Sequence, residues 1–329
     1  MSQFQVVRLG DPYSSGIDAK AMSRKSWIGR PAHHGDFALH ELIASKIRTG
    51  TTISVCLPAR DERATVGAII RSIHEDLVTP GLVDELIVMD DDSTDGTSTE
   101  AAVAGARVVR VSEVPPYEVT RGGKGTVLWK SLFASSGDVV CWIDADIAGF
   151  QSHMVTGLLG PLLTDPTIHF VKGFYDRPER AGSGGGRVTE LVARPLIGMF
   201  HPHLADIVQP LAGATSARRH VLESVRFVRG WGVDLALLLD VADEAGVGAI
   251  AQCDLGTLVH DSKSLLGLGP QAAAALAIAL SRAGIQRPPF DLRQFVDGEP
   301  VATPICIAEL PPPIASPYYR SLEVEQTPA

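Results

Sequence analysis

The sequence predicts an α/β protein built on a doubly wound, mainly parallel sheet. Four apolar segments of strand length, at 52–58, 83–91, 107–112 and 137–146, alternate with segments of helical period. This alternation is typical of parallel sheets that carry helices on both faces. Polar motifs rich in Asp, Gly and Lys flank these strands, and ligands of such sheets bind beyond the carboxyl ends of the strands.

Helices separate the strands, and the second half of the chain is more irregular. The predicted helices of the first half lie at 37–48, 62–77, 95–106 and 123–135. The predicted elements of the second half are helices at 153–164, 188–200, 233–246 and 270–283, strands at 168–176 and 249–260, and a Gly-rich loop at 177–187. Prolines crowd the segment 286–329, which we expect to wrap around the surface.

The composition describes an ordinary soluble globular protein with a large core. Of the 329 residues 45% are hydrophobic and 20% are charged, and the net charge is −9. This acidic balance argues against nucleic acid as a partner, because phosphate binding needs a basic surface. The four cysteines show no metal-binding spacing, which predicts buried reduced thiols. We expect a cytoplasmic protein without a membrane partner, since the N-terminus has no apolar signal segment and the apolar segment 271–280 is too short to span a bilayer.

The first two strands end in polar motifs, LPARDE (57–62) and MDDDSTDGT (89–97). Ser93 and Thr94 fit the N-cap of the following helix, which would be a purely structural role. A cap needs only one acid or hydroxyl, however, and three carboxylates stand in succession at 90–92. We therefore expect a carboxylate here to accept hydrogen bonds from a nucleobase or a ribose.

Two further motifs supply a cation and a pair of carboxylates. RGGKG (121–125) precedes a helix, where glycines allow a phosphate to approach the backbone and Lys124 adds positive charge, although a Gly-Lys turn is also a common loop. Asp144 and Asp146 stand one residue apart at a strand end, and alternate strand residues point the same way. A solvated turn would explain them, but a divalent cation such as Mg²⁺ would neutralise both and hold a diphosphate.

These motifs, taken in order, resemble the GT-A-type glycosyltransferases. The segments FVKGFYDRP (170–178), GGGRVTELVARPL (184–196), QPLAG (209–213) and GWGVDLALLLD (230–240) resemble, more specifically, the glucosyl-3-phosphoglycerate synthases and their mannosyl relatives, over roughly residues 50–285. The resemblance implies a retaining enzyme that uses Mg²⁺ or Mn²⁺. It would move a sugar from a nucleoside-diphosphate sugar to a small, carboxylate-bearing acceptor, and it would act as a homodimer.

The resemblance also implies a role for individual residues and segments. The expected nucleotide-binding residues are Pro58, Ala59, Glu62, Asp91, Lys124 and Asp144. The expected acceptor-binding residues are Gly186, Arg187 and Thr189, the metal ligands are Asp146 and His260, and the catalytic carboxylates are Asp144 and Asp234, with Asp234 in place of a Glu. The expected segments are an N-terminal extension with a helix (1–50), a nucleotide-sugar-binding half (51–150), an acceptor-binding and catalytic half (151–285) and a Pro-rich tail (286–329).

Some positions depart from the family pattern. Arg60 replaces a Leu, and Asp91 stands where a small residue is common. A carboxylate can accept both guanine N–H donors and an arginine can bind O6 and N7, so we expect Arg60 and Asp91 to bind the base and to suit GDP better than UDP. On the acceptor side Ala214-Thr215 replaces Glu-Tyr and Asp261-Ser262 replaces Arg-Asn, which points to a different acceptor.

Three alternatives stay open on the sequence alone. The first is a relative from specialised metabolism that uses a GDP-sugar and another acceptor, as in S-glycosyl transfer to ergothioneine during lincosamide antibiotic assembly. A sugar nucleotidyltransferase is a second, although a Gly-rich basic loop for a triphosphate is missing near the first strand. The third is a non-catalytic nucleotide-sugar-binding protein, against which Asp144, Asp146 and His260 argue.

Overall fold

A computed structural model describes residues 28–116, 119, 123–176, 186–258, 264–285 and 288–326. The strands are β1 (Ala32–His33), β2 (Ile53–Ala59), β3 (Glu85–Asp90), β4 (Arg107–Arg110), β5 (Val139–Trp142), β6 (Phe170–Asp176), β7 (Thr215–Arg218), β8 (Phe227–Val228), β9 (Ile250–Thr257), β10 (Phe290–Val296), β11 (Glu299–Ile305) and β12 (Glu309–Leu310). The α-helices are α1 (Leu39–Thr49), α2 (Val66–Ile73), α3 (Thr97–Val103), α4 (Lys124–Ala134), α5 (His153–Thr164), α6 (Arg194–Phe200), α7 (Arg219–Ser224), α8 (Val233–Ala245), α9 (Leu265–Arg282) and α10 (Pro317–Gln326).

Eight strands form one sheet in the order β1-β9-β6-β7-β5-β2-β3-β4. All neighbours are parallel except β7, which runs antiparallel to both β5 and β6. The predicted doubly wound α/β fold is therefore confirmed. The carboxyl ends of β2, β3 and β5 meet at one edge of the sheet, which is where the polar motifs lie.

Two layers of apolar side chains cover the two faces of the sheet. Alternate residues point to opposite faces, so Cys56 and Trp142 pack on one side with α4 and α8, whereas Val55 and Cys141 pack on the other side with α2 and α5. This alternation explains why the central strands are apolar throughout, as is typical of buried parallel strands. Because both faces of the sheet are covered by apolar side chains, the polar residues that could bind a ligand stand at the strand ends.

Some predicted elements differ from the structure at their ends. The strand expected at 137–146 ends at Trp142, so Asp144 and Asp146 lie in the turn after β5 and strand alternation does not set their directions. The helix expected at 188–200 is a π-helical turn (Thr189–Ala193) that continues into α6. The short strands β1 and β7 were not predicted, because two residues in one case and the polar sequence TSAR in the other carry no strand pattern.

The C-terminal segment returns to the body of the protein instead of only wrapping its surface. β10 and β11 form an antiparallel hairpin, and β12 pairs with β8. The Trp129 indole donates a hydrogen bond to the carbonyl of Pro311 at 2.8 Å, and Tyr319 is 4% exposed. The apolar helix expected within 270–283 begins earlier, at Leu265, and α9 is the one helix in the described ranges that is long and apolar enough to cross a membrane by length and composition. It packs against α6, α8 and the hairpin.

The cysteines agree with the prediction at three of four positions. Cys56, Cys141 and Cys253 are buried and free, whereas Cys306 is exposed at the end of the hairpin segment. The expectation of a buried thiol is therefore wrong for Cys306, because β10 and β11 lie largely in solvent.

Candidate active site

The ends of β2 and β3 bring the predicted base-binding residues together. Ala59 and Asp90 are register partners, and the amide of Asp91 donates to the carbonyl of Ala59 at 2.9 Å. The Arg60 guanidinium lies 3.4 Å from the Asp91 carboxylate, which is 9% exposed, while the arginine side chain is 53% exposed. Arg60 and Asp91 therefore lie next to each other, as predicted. The Asp91 carboxylate is buried, and the Arg60 side chain is about half exposed.

Two acids at the end of the second predicted strand have structural roles, because their carboxylates accept hydrogen bonds from backbone amides. Asp95 accepts from the amide of Thr97 at 2.9 Å and from the amide of Arg63 at 3.0 Å. Asp90 accepts from the amide of Ser93 at 3.0 Å. The expectation that Ser93 or Thr94 caps α3 is wrong, since the N-cap position is Gly96 and Asp95 bonds the first helical amide. Aspartate takes over this task because its carboxylate reaches an amide two residues ahead.

A buried cation links the nucleotide half to the second half of the chain. The Lys124 ammonium lies 2.7 Å from Asp144 and 3.3 Å from Asp234. Burial alone would lower the pKa of Lys124, but these two carboxylates outweigh it and hold the pKa above its usual value. Burial raises the pKa of the Asp234 carboxyl, and the lysines Lys124 and Lys172 oppose that rise. The ion pairs therefore keep three charges in place at one wall of the site.

Glycines around this cluster are required by packing. A Cβ on Gly125 would overlap the carbonyl of Val228, so this glycine lets α4 pack closely against β8. The expectation that the GKG glycines let a phosphate approach the backbone stays a prediction, and Gly125 has this packing role in addition. A Cβ on Gly213 would overlap both the Asp144 carboxylate and the Lys124 ammonium. A side chain at position 213 would therefore have to displace the ion pair, because both overlapping atoms are the ends of the paired side chains.

One cavity of about 420 Å³ joins the predicted metal, catalytic and acceptor residues. Among the residues that line it are Lys124, Asp144, Asp146, Gly186, Arg187, Thr189 and Asp234. Pro58, Ala59, Arg60, Glu62 and Asp91 are not among its lining residues and lie along the neighbouring strand ends. A donor that reached from Asp91 to this cavity would place its base at one end and its sugar at the other.

The predicted acceptor residues begin a helical turn. Gly186 has φ +85°, a value that favours glycine, and its carbonyl accepts from the amide of Glu190 at 2.9 Å. Arg187 is half-buried and Thr189 is 7% exposed. Ala214 and Thr215, by contrast, are buried where β7 begins and do not line the cavity. The expectation that the change at 214–215 alters the acceptor pocket directly is therefore not supported.

The site is rich in carboxylates in a way that suits a divalent cation. Burial, followed by the charges of Asp146, Asp95, Asp144 and Asp61, raises the pKa of Glu62 to about 7. Mg²⁺ and Mn²⁺ take one or two protein carboxylates and complete their shell with phosphate oxygens and water. In the described part of the chain no group of three or more His, Cys, Asp or Glu is arranged to hold a metal ion. His260, Asp261 and Ser262 lie outside the described residues.

Removing the charge of Glu62 is expected to stabilise the metal-free protein at neutral pH. Because the folded state holds the Glu62 proton up to pH about 7, whereas the unfolded chain releases it near 4.5, wild-type stability falls as pH rises between these values. Glu62→Gln removes this loss, so its melting temperature relative to wild type is expected to rise from pH 4.5 to 7.5 in a chelating buffer. The matched control is Glu299→Gln, an exposed glutamate on the hairpin. A constant difference across the pH range would contradict the placement of Glu62.

Some residues that line the cavity, or lie beneath it, were not predicted to belong to the site. Gln209 and Trp231 line the cavity, and the Gln209 side chain bonds the backbone of Tyr175 at 2.6 and 3.4 Å. Both lie in segments that carry the family resemblance, but their residue types suggested no chemistry. Lys172, beneath Asp234, was also missed, although a lysine inside the apolar strand FVKGFYD is an available signal.

Comparisons with known proteins agree over most of the chain. The family model described as glycosyl transferase family 2 matches residues 54–186. Glucosyl-3-phosphoglycerate synthase of Mycolicibacterium paratuberculosis is 44% identical over 306 residues, which cover 88% of this chain and 90% of the relative. The crystal structure of the Mycobacterium tuberculosis enzyme with Mn²⁺, UDP-glucose and phosphoglyceric acid has a TM-score of 0.78 at 44% identity and covers 84% of this chain and 94% of its own. The same enzyme with Mg²⁺ and UDP has a TM-score of 0.77 at 43% identity, over 84% and 95%.

The parallel sheet, the acidic strand ends and the cavity beyond them define a glycosyltransferase of the GT-A class. The similarity extends through the second half, where the predicted acceptor residues lie. The chain belongs to the glucosyl-3-phosphoglycerate synthase family. The predicted fold class, family and enzyme class are therefore confirmed.

Proposed function

We propose that the protein transfers glucose, with retention of configuration, from UDP-glucose to 3-phosphoglycerate in a reaction that needs Mn²⁺ or Mg²⁺. The observation that carries this proposal is that Lys124, Asp144 and Asp234, which are joined by ion pairs, line the same cavity as Arg187 and Thr189. Support comes from the crystal structures of the M. tuberculosis relative, which hold these same ligands.

The donor end would be bound by the acidic strand ends. The buried Asp91 carboxylate would accept the N–H of a uracil, and Pro58, Ala59 and Glu62 would surround the nucleoside. Asp146, with His260 from outside the described residues, would bind the divalent cation, and Asp144 would lie near the ribose or the sugar. When bound, the cation offsets the charge that develops on the departing diphosphate.

The acceptor end would be bound by the start of the helical turn at 186–193. The Arg187 guanidinium can pair with a carboxylate or a phosphate, and the backbone of Gly186 and Thr189 can donate to the same anion. The hydroxyl of 3-phosphoglycerate would then face the sugar from the side on which the diphosphate leaves.

The transfer breaks the bond between the anomeric carbon and the diphosphate oxygen and forms a bond to the acceptor oxygen on the same face. The acceptor proton passes to the departing phosphate oxygen, so that charge and atoms balance. Asp234, held by Lys124, lies at the cavity wall, where its carboxylate stabilises positive charge developing at the anomeric carbon.

A second candidate is a GDP-sugar donor, and the Arg60–Asp91 pair favours it. Calorimetric titrations with Mn²⁺ separate the two candidates. If the donor is UDP-glucose, as proposed, UDP is expected to bind at least about tenfold more tightly than GDP, since one well-formed base contact discriminates by about 1–3 kcal/mol. Under this expectation Arg60→Ala leaves UDP affinity within about threefold, because the arginine side chain is 53% exposed. Preference for GDP, together with a tenfold or greater loss of GDP affinity in Arg60→Ala, would establish the second candidate instead.

Turnover assays test donor and acceptor together. Release of UDP or GDP is measured with UDP-glucose or GDP-glucose as donor and with 3-phosphoglycerate or ergothioneine as acceptor, each with Mn²⁺ and with a chelator. Metal-dependent release only with UDP-glucose and 3-phosphoglycerate supports the proposal. Release with ergothioneine would support the S-glycosyl alternative. Consumption of UTP or GTP in a parallel incubation with glucose 1-phosphate would support a nucleotidyltransferase. We further propose that the protein is cytoplasmic and forms a homodimer. Light scattering of the purified protein tests the dimer.

A further inference from the structure

Two lysines of the described chain are almost completely buried, Lys172 in β6 and Lys130 in α4, each 1% exposed. Lysine is very seldom buried in this way unless its ammonium has partners, because the charge loses its hydration. Lys130 donates to the carbonyl of Val111 at 2.9 Å. Lys172 lies in the sheet next to the ion pairs of Lys124 with Asp144 and Asp234, so its burial needs a separate explanation.

The ammonium of Lys172 connects the sheet to the helix that carries Asp234. It donates to the main-chain carbonyl of Asp234 at 3.2 Å, in the first turn of α8. Lys172 does not line the cavity, so it contacts no substrate there. Its contact instead fixes the backbone from which the Asp234 carboxylate extends to Lys124, 3.3 Å away.

The charges in this region balance. The titratable groups that act on Lys172 are Asp234 at the start of α8, Lys124 at the start of α4 and Asp144 after β5. The two lysines and two aspartates together carry no net charge. Removal of either lysine would leave a carboxylate uncompensated, and Asp234, at 8% exposed, would then tend to take up a proton.

We propose that Lys172 is a positioning residue, which fixes the first turn of α8 and keeps the Asp234 carboxylate ionised and directed into the cavity. This role rests on the proposed glucosyl transfer, in which Asp234 acts on the reacting sugar. Lys172 itself touches neither donor nor acceptor.

The protonation of Lys172 gives this role a signature in pH. Burial lowers its pKa to about 8, with Lys124 acting in the same direction and the two aspartates opposing. As pH rises through this value the ammonium loses its charge and Asp234 loses a partner. The kcat of the wild type is therefore expected to decline on the alkaline side of pH about 8.

The test compares Lys172→Met with Lys130→Met as the matched control. Methionine has a similar volume and keeps the packing around each position, and the urea unfolding described below checks that both variants are folded. Lys172→Met is expected to lower kcat by about tenfold or more, to leave the KM for UDP-glucose within about threefold, and to lose the alkaline decline. Lys130→Met keeps the decline. A higher KM at unchanged kcat, or the same pH profile in all three proteins, would overturn the proposal.

Urea unfolding provides a readout that does not depend on activity. Between pH 8 and about 10.5 the unfolded chain holds the Lys172 proton and the folded protein does not, so wild-type stability rises with pH relative to Lys172→Met. Absence of this difference would overturn the burial of the ammonium. If the difference is present but wild type transfers no sugar from any donor, the proposed function is the part that fails, and the catalytic role of Lys172 fails with it.

Discussion

Gly213→Ala is expected to lower kcat by about a hundredfold while the protein stays folded. The new Cβ would overlap the Asp144 carboxylate and the Lys124 ammonium, which lie 2.7 Å apart in the ion pair. Since Lys124 also pairs with Asp234, the displacement reaches the carboxylate that we propose to act on the reacting sugar. The backbone at Gly213 has no φ in the left-handed region, so alanine adds a clash without backbone strain. Steady-state kinetics with saturating donor and acceptor measure the effect.

Gly198→Ala is the control for this substitution. Gly198 lies in α6, and a Cβ there would meet nothing within 4 Å. Alanine in a helix is favoured over glycine by about 1 kcal/mol, so this variant is expected to keep full activity with equal or higher stability. Full activity of Gly213→Ala would show that the Lys124–Asp144 contact is not needed for transfer.

Asp146→Asn is expected to lower kcat/KM by about a hundredfold to a thousandfold and to remove the metal dependence of UDP binding. Asp146 is exposed in the turn after β5, and it lines the cavity together with Asp144. The Thr65 hydroxyl donates to the carbonyl of Ala145 in this turn at 2.6 Å, and the substitution leaves this contact in place. An amide keeps the shape of the side chain but binds a divalent cation far less strongly than a carboxylate.

The matched control for Asp146→Asn is Asp243→Asn, which changes the net charge equally at an exposed position of α8 outside the cavity. Calorimetric titration of both variants with UDP, with and without Mn²⁺, separates metal binding from a general charge effect. Metal-enhanced UDP binding that survived in Asp146→Asn would contradict the assignment of Asp146 as a metal ligand.

The fold was predictable where local pattern and burial agree. β2, β3 and β5 are apolar on both faces, and the polar residues that follow them mark the edge at which the site lies. β1 and β7 were not predictable, because β1 has two residues and β7, a polar segment, is a strand through its pairing with β5 and β6. Pairing across long sequence separations carries no local signal.

The site was predictable in its residue types but not in its contacts. Asp144, Asp146 and Lys124 were expected from their motifs, and the structure places all three in one cavity. That Lys124 bridges Asp144 to Asp234, which is 110 residues away along the chain, depends on tertiary packing alone. The clash expected for a side chain at position 213 has the same origin, since it arises between segments distant in sequence.

Proton NMR of the reaction product tests metal-dependent, retaining glucosyl transfer most directly. The protein is incubated with UDP-glucose, 3-phosphoglycerate and Mn²⁺, and the anomeric signal of the product is recorded alongside the UDP released. The expected result is one UDP for each glucoside formed, the small anomeric coupling of an α-linkage, and no product when Mn²⁺ is chelated. A β-linked product, UDP release without a glucoside, or undiminished turnover under chelation would contradict it.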